Sequence, residues 1–258
     1  MTVSPGSDRV AADPATRRSN DADLAADVRT TKSTDTPTAP PSTLTEPLEL
    51  GPDTLSPREF YLLLTALVVP RPVGWISTVS AAGVRNVAPY SYFNLMGSEP
   101  FYCAFGSTGE KDSLKNIREV PEFVANIATM DLLEKMSFTS GDFPRDQDEF
   151  AWAGLTPVPS VKVRPERVGE AKAHLECEVK HIYEDGRTHI VIAKIVHVHV
   201  SPSVWKNGRV DPKLLDPVGR LSGSMYASLG DLYSVARPDM KQVQGPPSPD
   251  VMPRATRR

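Results

Sequence analysis

Apolar and polar residues alternate most clearly over residues 173–200, where Leu175, Cys177 and Val179 interleave with His174, Glu176, Glu178 and Lys180. Side chains of a strand point to opposite faces in turn, so this arm predicts a strand with one wet face. The second arm, THIVIAKIVHVHV, is apolar on both faces and predicts a central strand, with the turn at Asp185-Gly186. Another hairpin is predicted upstream. Val73, Trp75, Ile76, Thr78 and Val79 favour β structure, Ala82-Gly83 supplies a turn, and a short second strand ends in a Pro89-Tyr90-Ser91 corner. Residues 101–105 and 123–128 predict two further strands.

Helices are signalled by their ends. Ser56-Pro57-Arg58-Glu59 places an N-cap serine, a first-turn proline and a glutamate three residues after the cap before FYLLLTALV, which Pro70 and Pro72 terminate. Residues 114–120 predict a helix stopped by Pro121, and Asp131 with Glu134 reads as a capping pair for a helix over 132–138, before the polar loop SGDFPRDQDEF. Several strands with short helices and no repeating β-α-β rhythm predict a mainly β, antiparallel barrel.

Composition sets the limits of the domain. At 258 residues the chain is long enough for one large domain or two small ones. Residues 1–47 contain no aromatic side chain and are dominated by Ala, Asp, Thr, Ser, Pro and Arg, which predicts a disordered N-terminal tail. Residues 238–258 carry five prolines and predict a second disordered tail, leaving a folded domain over 48–237. The net charge of −3, from 29 basic and 32 acidic residues, provides no field to attract nucleic acid or an anionic membrane. Arg17-Arg18 lacks the apolar run of an export signal, and residues 62–69 fall short of the ~20 apolar residues of a membrane span, so a cytoplasmic protein is expected. Cys103 and Cys177 sit in strand-like apolar contexts and are expected as reduced, buried thiols.

Chemistry concentrates in two segments. In GEKDSLKNI, Lys111, Asp112 and Ser113 open a short helix, where free N–H groups and the positive dipole end favour a phosphate. The Walker spacing is absent, which disfavours an NTPase, and the dinucleotide fingerprint GxGxxG is absent too. In the first hairpin, Asn86, Ala88, Pro89, Tyr90 and Ser91 follow a strand and can present N–H and hydroxyl groups to an anion, although a proline-fixed corner with packed tyrosines fits as well. His197 and His199 lie two apart and share a strand face, but no third ligand cluster accompanies them and no metal is expected. GxSxG is missing, and neither cysteine has a reactive setting.

The ordered segments RPVGWIST, NVAPYSYFN, EKDSLKNI, FVANIA, AGLTPVPS, HLECEV and PVGRLSGSMYASLG, spread over residues 70–238, resemble the flavin reductase-like family. The nearest subgroup is the reductase components of two-component flavin monooxygenases, such as the one acting on nitrilotriacetate. Ser222 departs from the family pattern, standing where a glycine is expected after Arg220-Leu221. The resemblance implies an FMN-binding Greek-key split β-barrel, with FMN as cofactor, FAD as the alternative, and NAD(P)H as transient hydride donor to flavin N5. It implies no catalytic side chain and a cofactor site built from Trp75, Ser77, Thr78, Asn86, Ala88, Tyr90, Ser91, Lys111, Asp112, Ser113 and Arg220. Trp75 also suits plain packing, Tyr90 suits site or core equally, and Arg220 suits a cation near reduced flavin, a coenzyme phosphate contact or an exposed loop residue. A homodimer with flavin at the subunit interface and a partner flavin-dependent monooxygenase are implied as well. A tight FMN-binding electron carrier and a non-catalytic ligand-binding module are the alternatives.

Overall fold

A computed structural model describes residues 47–239 and 254–257; both expected tails lie largely outside the described residues. The described chain falls into two compact units, divided between Thr65 and Ala66. In the first, Gly51 closes a turn with Thr54 and Leu55, and the helix α1 (Pro57–Leu67) begins. Its predicted capping box is present. The Ser56 N–H and hydroxyl donate to the Glu59 carboxylate at 2.9 and 2.6 Å, and the Glu59 N–H donates back to Ser56 Oγ.

The second unit continues with β1 (Arg71–Pro72), β2 (Gly74–Val79), β3 (Arg85–Tyr90), β4 (Phe93–Ser98), β5 (Phe101–Thr108), α2 (Asp112–Glu119) and β6 (Glu122–Ile127). Then come α3 (Leu133–Phe138), α4 (Glu149–Trp152), β7 (Pro157–Val158), β8 (Arg167–Val168), β9 (Ala173–Asp185) and β10 (Thr188–Val200). Short pieces close the unit: β11 (Trp205–Lys206), β12 (Arg209–Val210), α5 (Pro212–Leu215), β13 (Gly219–Arg220) and β14 (Tyr226–Ala227). Within the expected C-terminal tail, Thr256–Arg257 pairs with Tyr233–Ser234, and Arg257 meets Asp231.

Seven strands form one antiparallel sheet in the order β3-β2-β6-β9-β10-β5-β4. β2 is buried on both faces, enclosing Ser77 and Thr78 along with Trp75 and Ile76. Ile76 joins an inner core with Phe105, Phe123, Cys177 and Val191, while Trp75 and Val87 pack on the other side with Met136 and Phe150 from α3 and α4. Gly74 is required here, because a Cβ would lie 2.7 Å from the Phe93 ring.

Several local expectations change. Pro89 lies inside β3 instead of at a corner, which an edge strand tolerates because the missing N–H has no ladder partner to lose. The long hairpin turns at Gly186-Arg187, with the positive φ of 55° at Gly186 that this turn position demands. β10 is central in pairing, yet its outer face is open, with Ile190 and Val198 exposed. Asp131 does not cap α3; it lies in a 3₁₀ turn over Met130–Leu132 and accepts from Thr129. Cys103 and Cys177 are buried and unbridged as expected, their sulfurs 3.6 Å apart.

Candidate functional site

The short helix expected to open at Lys111, Asp112 and Ser113 is α2. Lys111 is the N-cap in an extended conformation, and no side chain caps the helix. The N–H groups of Asp112 and Ser113 therefore open the helix, adding to its positive end. Lys111 is exposed and enters none of the ion pairs formed among the described residues, whereas Lys115 and Arg145 both reach Asp112. Ser113 points inward and is buried.

Behind this helix start, polar side chains from β2, β3, α2 and α4 meet in one network. Asn86 Oδ1 accepts the Ser113 hydroxyl at 2.7 Å and the Thr78 hydroxyl at 3.0 Å, and Asn116 donates to Thr78 at 3.1 Å. Asn86 Nδ2 donates to Glu149 Oε1 at 2.7 Å, and the Val87 N–H donates to Glu149 Oε2 at 3.1 Å. A primary amide has one acceptor and one donor end, so the Glu149 carboxylate fixes which end of Asn86 faces the hydroxyls. Burial pushes the Glu149 carboxyl up to about 7, with nearby Asp112 adding to the effect and the Asn86 and Val87 hydrogen bonds opposing it. The buried Tyr90 hydroxyl lies beside Ser107 and Ser113 without a well-formed hydrogen bond, and burial raises its pKa.

Thus Thr78, Asn86 and Ser113 are joined directly, with Tyr90, Lys111 and Asp112 beside them. Trp75 and Ser77 belong to a second polar knot. The Trp75 indole donates to Thr139 at 2.9 Å, and Ser77 donates to the Glu166 carbonyl while accepting from Asn126. Both side chains are fully enclosed, so their backbone is what they can offer a ligand. Ala88 packs against the inner core, and Ser91 is partly exposed just beyond β3. Arg220 stands apart in the small sheet β1-β13-β14, stacked 4.4 Å over Tyr226 and donating to the Gly223 carbonyl.

Next to that small sheet lies an apolar cavity of about 190 Å³, lined by Pro72, Val73, Phe93, Val218 and Ala227 among others, with Arg71 at its wall. The Arg71 guanidinium is turned to the carbonyls of Val68 and Leu221. His199 holds the buried Glu176 at 2.5 Å, with His197 ring to ring at 4.7 Å; among the described residues no cluster suits a metal ion.

Sequence reasoning missed Glu149, Asn116 and Asn126. Glu149 opens α4, which Asp148 caps through the N–H groups of Phe150 and Ala151, and Arg85 binds Asp148 and Glu166. The one sequence signal was an Asp-Glu-Phe at the end of a polar loop, where the phenylalanine turns inward and carries its neighbour with it.

The seven-stranded antiparallel sheet with its short helices is the architecture of a flavin reductase-like split barrel. A flavin reductase-like domain model matches residues 66–213, and the chain belongs to that family. Protein BH2278 of Halalkalibacterium halodurans is 34% identical over 207 residues, covering 76% of this chain and 99% of its own. The structure of nitrilotriacetate monooxygenase component B from Bacillus cereus superposes with a TM-score of 0.70 at 29% identity, covering 73% of this chain and 98% of that one. Pseudomonas fluorescens 2-nitrobenzoate 2-nitroreductase gives a TM-score of 0.70 at 28% identity, covering 77% and 100%. The expected fold class is thereby present, and no described helix is long and apolar enough to cross a membrane.

Proposed function

We propose that this protein is an FMN-binding NAD(P)H:flavin oxidoreductase that supplies reduced flavin to a separate monooxygenase component. The observation that carries the reading is the uncapped start of α2 beside Lys111, with the unsatisfied Tyr90 hydroxyl buried behind it. An FMN phosphate fits this donor set: the N–H groups of Asp112 and Ser113, the Lys111 ammonium and, further in, the tyrosine hydroxyl. FAD remains the alternative where the phosphate continues into a second nucleotide.

Bound flavin supplies the hydride acceptor, and the protein's contribution is binding and alignment. The backbone of β2 from Trp75 to Thr78, with Ala88 and Ser91, lies along the strands that lead to the phosphate site. The apolar cavity beside Val73 and Phe93 is smaller than the roughly 300–1,000 Å³ usual for ligand pockets, so a ring site there calls for completion by a second copy. The exposed side chains of Leu95, Met96 and Phe101 on β4 and β5 offer apolar surface for such a homodimer. Arg220, in the small sheet bordering the cavity, is assigned to the coenzyme side. No residue is asked to act as nucleophile. A cytoplasmic setting suits this chemistry and the buried, reduced thiols.

Anaerobic oxidation of NADH or NADPH by the purified protein, with and without added FMN, tests the reading. Oxidation proportional to added FMN supports it. Retention of FMN through dialysis without turnover would favour an electron carrier, and failure to bind any flavin would leave a ligand-binding module.

A further inference from the structure

The polar network behind α2 contains a conflict that its own chemistry can resolve. Because Asn86 Nδ2 faces the Glu149 carboxylate, Asn86 Oδ1 must face Thr78 and Ser113, and the Ser113 hydroxyl spends its single hydrogen on that oxygen. A buried serine at the first turn of a phosphate-binding helix is then an acceptor toward the ligand, the wrong polarity for an anion. Turning the Asn86 amide by 180° reverses this. Nδ2 would donate to the Ser113 and Thr78 oxygens, releasing the serine hydrogen for the phosphate, while Oδ1 would face Glu149 and require a donor there. A protonated Glu149 is that donor: its O–H serves Asn86, and its carbonyl oxygen still accepts from Val87.

We propose that Glu149 is a proton-linked positioning residue, which on taking up a proton turns the Asn86 amide and delivers the Ser113 hydroxyl to the phosphate of the incoming flavin. The proposal rests on the phosphate site at α2 set out above. The neighbouring charges agree with it. Asp112 on α2 already raises the Glu149 carboxyl, and a phosphate beside Ser113 adds charge of the same sign. Tyr90 on β3 faces it uncharged, and on its own segment Asp148 is neutralised by Arg85, which also holds Glu166. The cations nearest Asp112, Lys115 and Arg145, are engaged with it.

Glu149→Gln imitates the protonated state, with its amide N–H donating to Asn86 Oδ1 and its carbonyl accepting from Val87. Titrations of the full chain with FMN and riboflavin at pH 7.0 and 8.5 read the effect. With a carboxyl that titrates at about 7, the competent fraction falls from about half to about 3%, so wild-type FMN affinity should drop roughly 15-fold between those pH values. Glu149→Gln should be flat with pH and up to about 30-fold tighter than wild type at pH 8.5. Adding Ser113→Ala should remove that gain, yet cost the wild type little at pH 8.5. Riboflavin binding should ignore all three changes. A wild type flat with pH, or a Gln variant as pH-dependent as wild type, overturns the proposal while leaving the phosphate site intact. If neither flavin binds, the site itself is refuted and the proposal with it.

Should the Gln variant fail to fold, calorimetry of FMN binding to wild type at pH 7.5 in two buffers of different ionisation enthalpy decides. Donors at the site draw protons off a phosphate, so the ligand alone gives release; net uptake supports the proposal, and zero or net release overturns it.

Discussion

Replacing Asn126 by alanine should be the most destabilising single change in the polar framework. Asn126 is fully buried on β6 and bridges three segments: Nδ2 donates to the Trp75 carbonyl at 2.8 Å and to Ser77 Oγ at 3.1 Å, and Oδ1 accepts the Val168 N–H at 2.8 Å. Three hydrogen bonds at about 1 kcal/mol net each, with up to ~2 kcal/mol more for the Val168 N–H left buried without a partner, give a loss of about 3–5 kcal/mol. For an m-value near ~2 kcal/mol/M, the urea midpoint should fall by about 2 M at unchanged m. Exchange of the Val168 amide hydrogen should accelerate, since β8 is tethered through it. A midpoint shift under about 0.5 M, equivalent to about 1 kcal/mol, would show that water or relaxation replaces these bonds and that Asn126 does not fasten β2 to β8.

His174 should give the fold an acid-side weakness. Burial lowers its pKa from 6.5 to about 4, so the unfolded chain binds more protons between those values, and its contribution is fully present above about 6.5 and lost as pH falls toward 4. Urea stability measured at pH 7.5 and 5 should fall more for wild type than for His174→Gln, and equal falls would remove the assignment. At the start of β5, next to the edge strand β4, Phe101 is 62% exposed in the single chain. If it packs between two copies, sedimentation should show a dimeric wild type and a monomeric Phe101→Glu that binds FMN more weakly; a monomeric wild type would refute the interface.

What the sequence revealed and what it hid follow from the range of the interactions. The α1 capping box is written within four residues, and both hairpins carry β-favouring residues and a turn glycine locally, so each is legible. β4 was not foreseen, because an edge strand that exposes Leu95 and Met96 and bulges before Gly97 shows no inward alternation. The two-residue strand β1 exists only through a partner far along the chain, Arg71 lying opposite Arg220. Of the site, Lys111, Asp112 and Ser113 announce themselves by a helix start. Glu149 does not, because a carboxylate destined for burial looks in sequence like any loop glutamate, and its partners Asn86 and Val87 lie 63 and 62 residues away. Asn126 and Asn116 are hidden for the same reason: polar residues on apolar strands and helices acquire meaning only when another segment closes over them.

The most direct test of the phosphate site at α2 compares FMN with riboflavin, which differ by the phosphate alone, in wild type and Lys111→Ala at neutral pH. A charge-assisted contact is worth about 1.5–3 kcal/mol, so the variant should lose roughly 10- to 150-fold in FMN affinity while riboflavin binding barely changes. Equal losses for the two ligands, or no loss for either, would contradict the placement of the flavin phosphate at the start of α2.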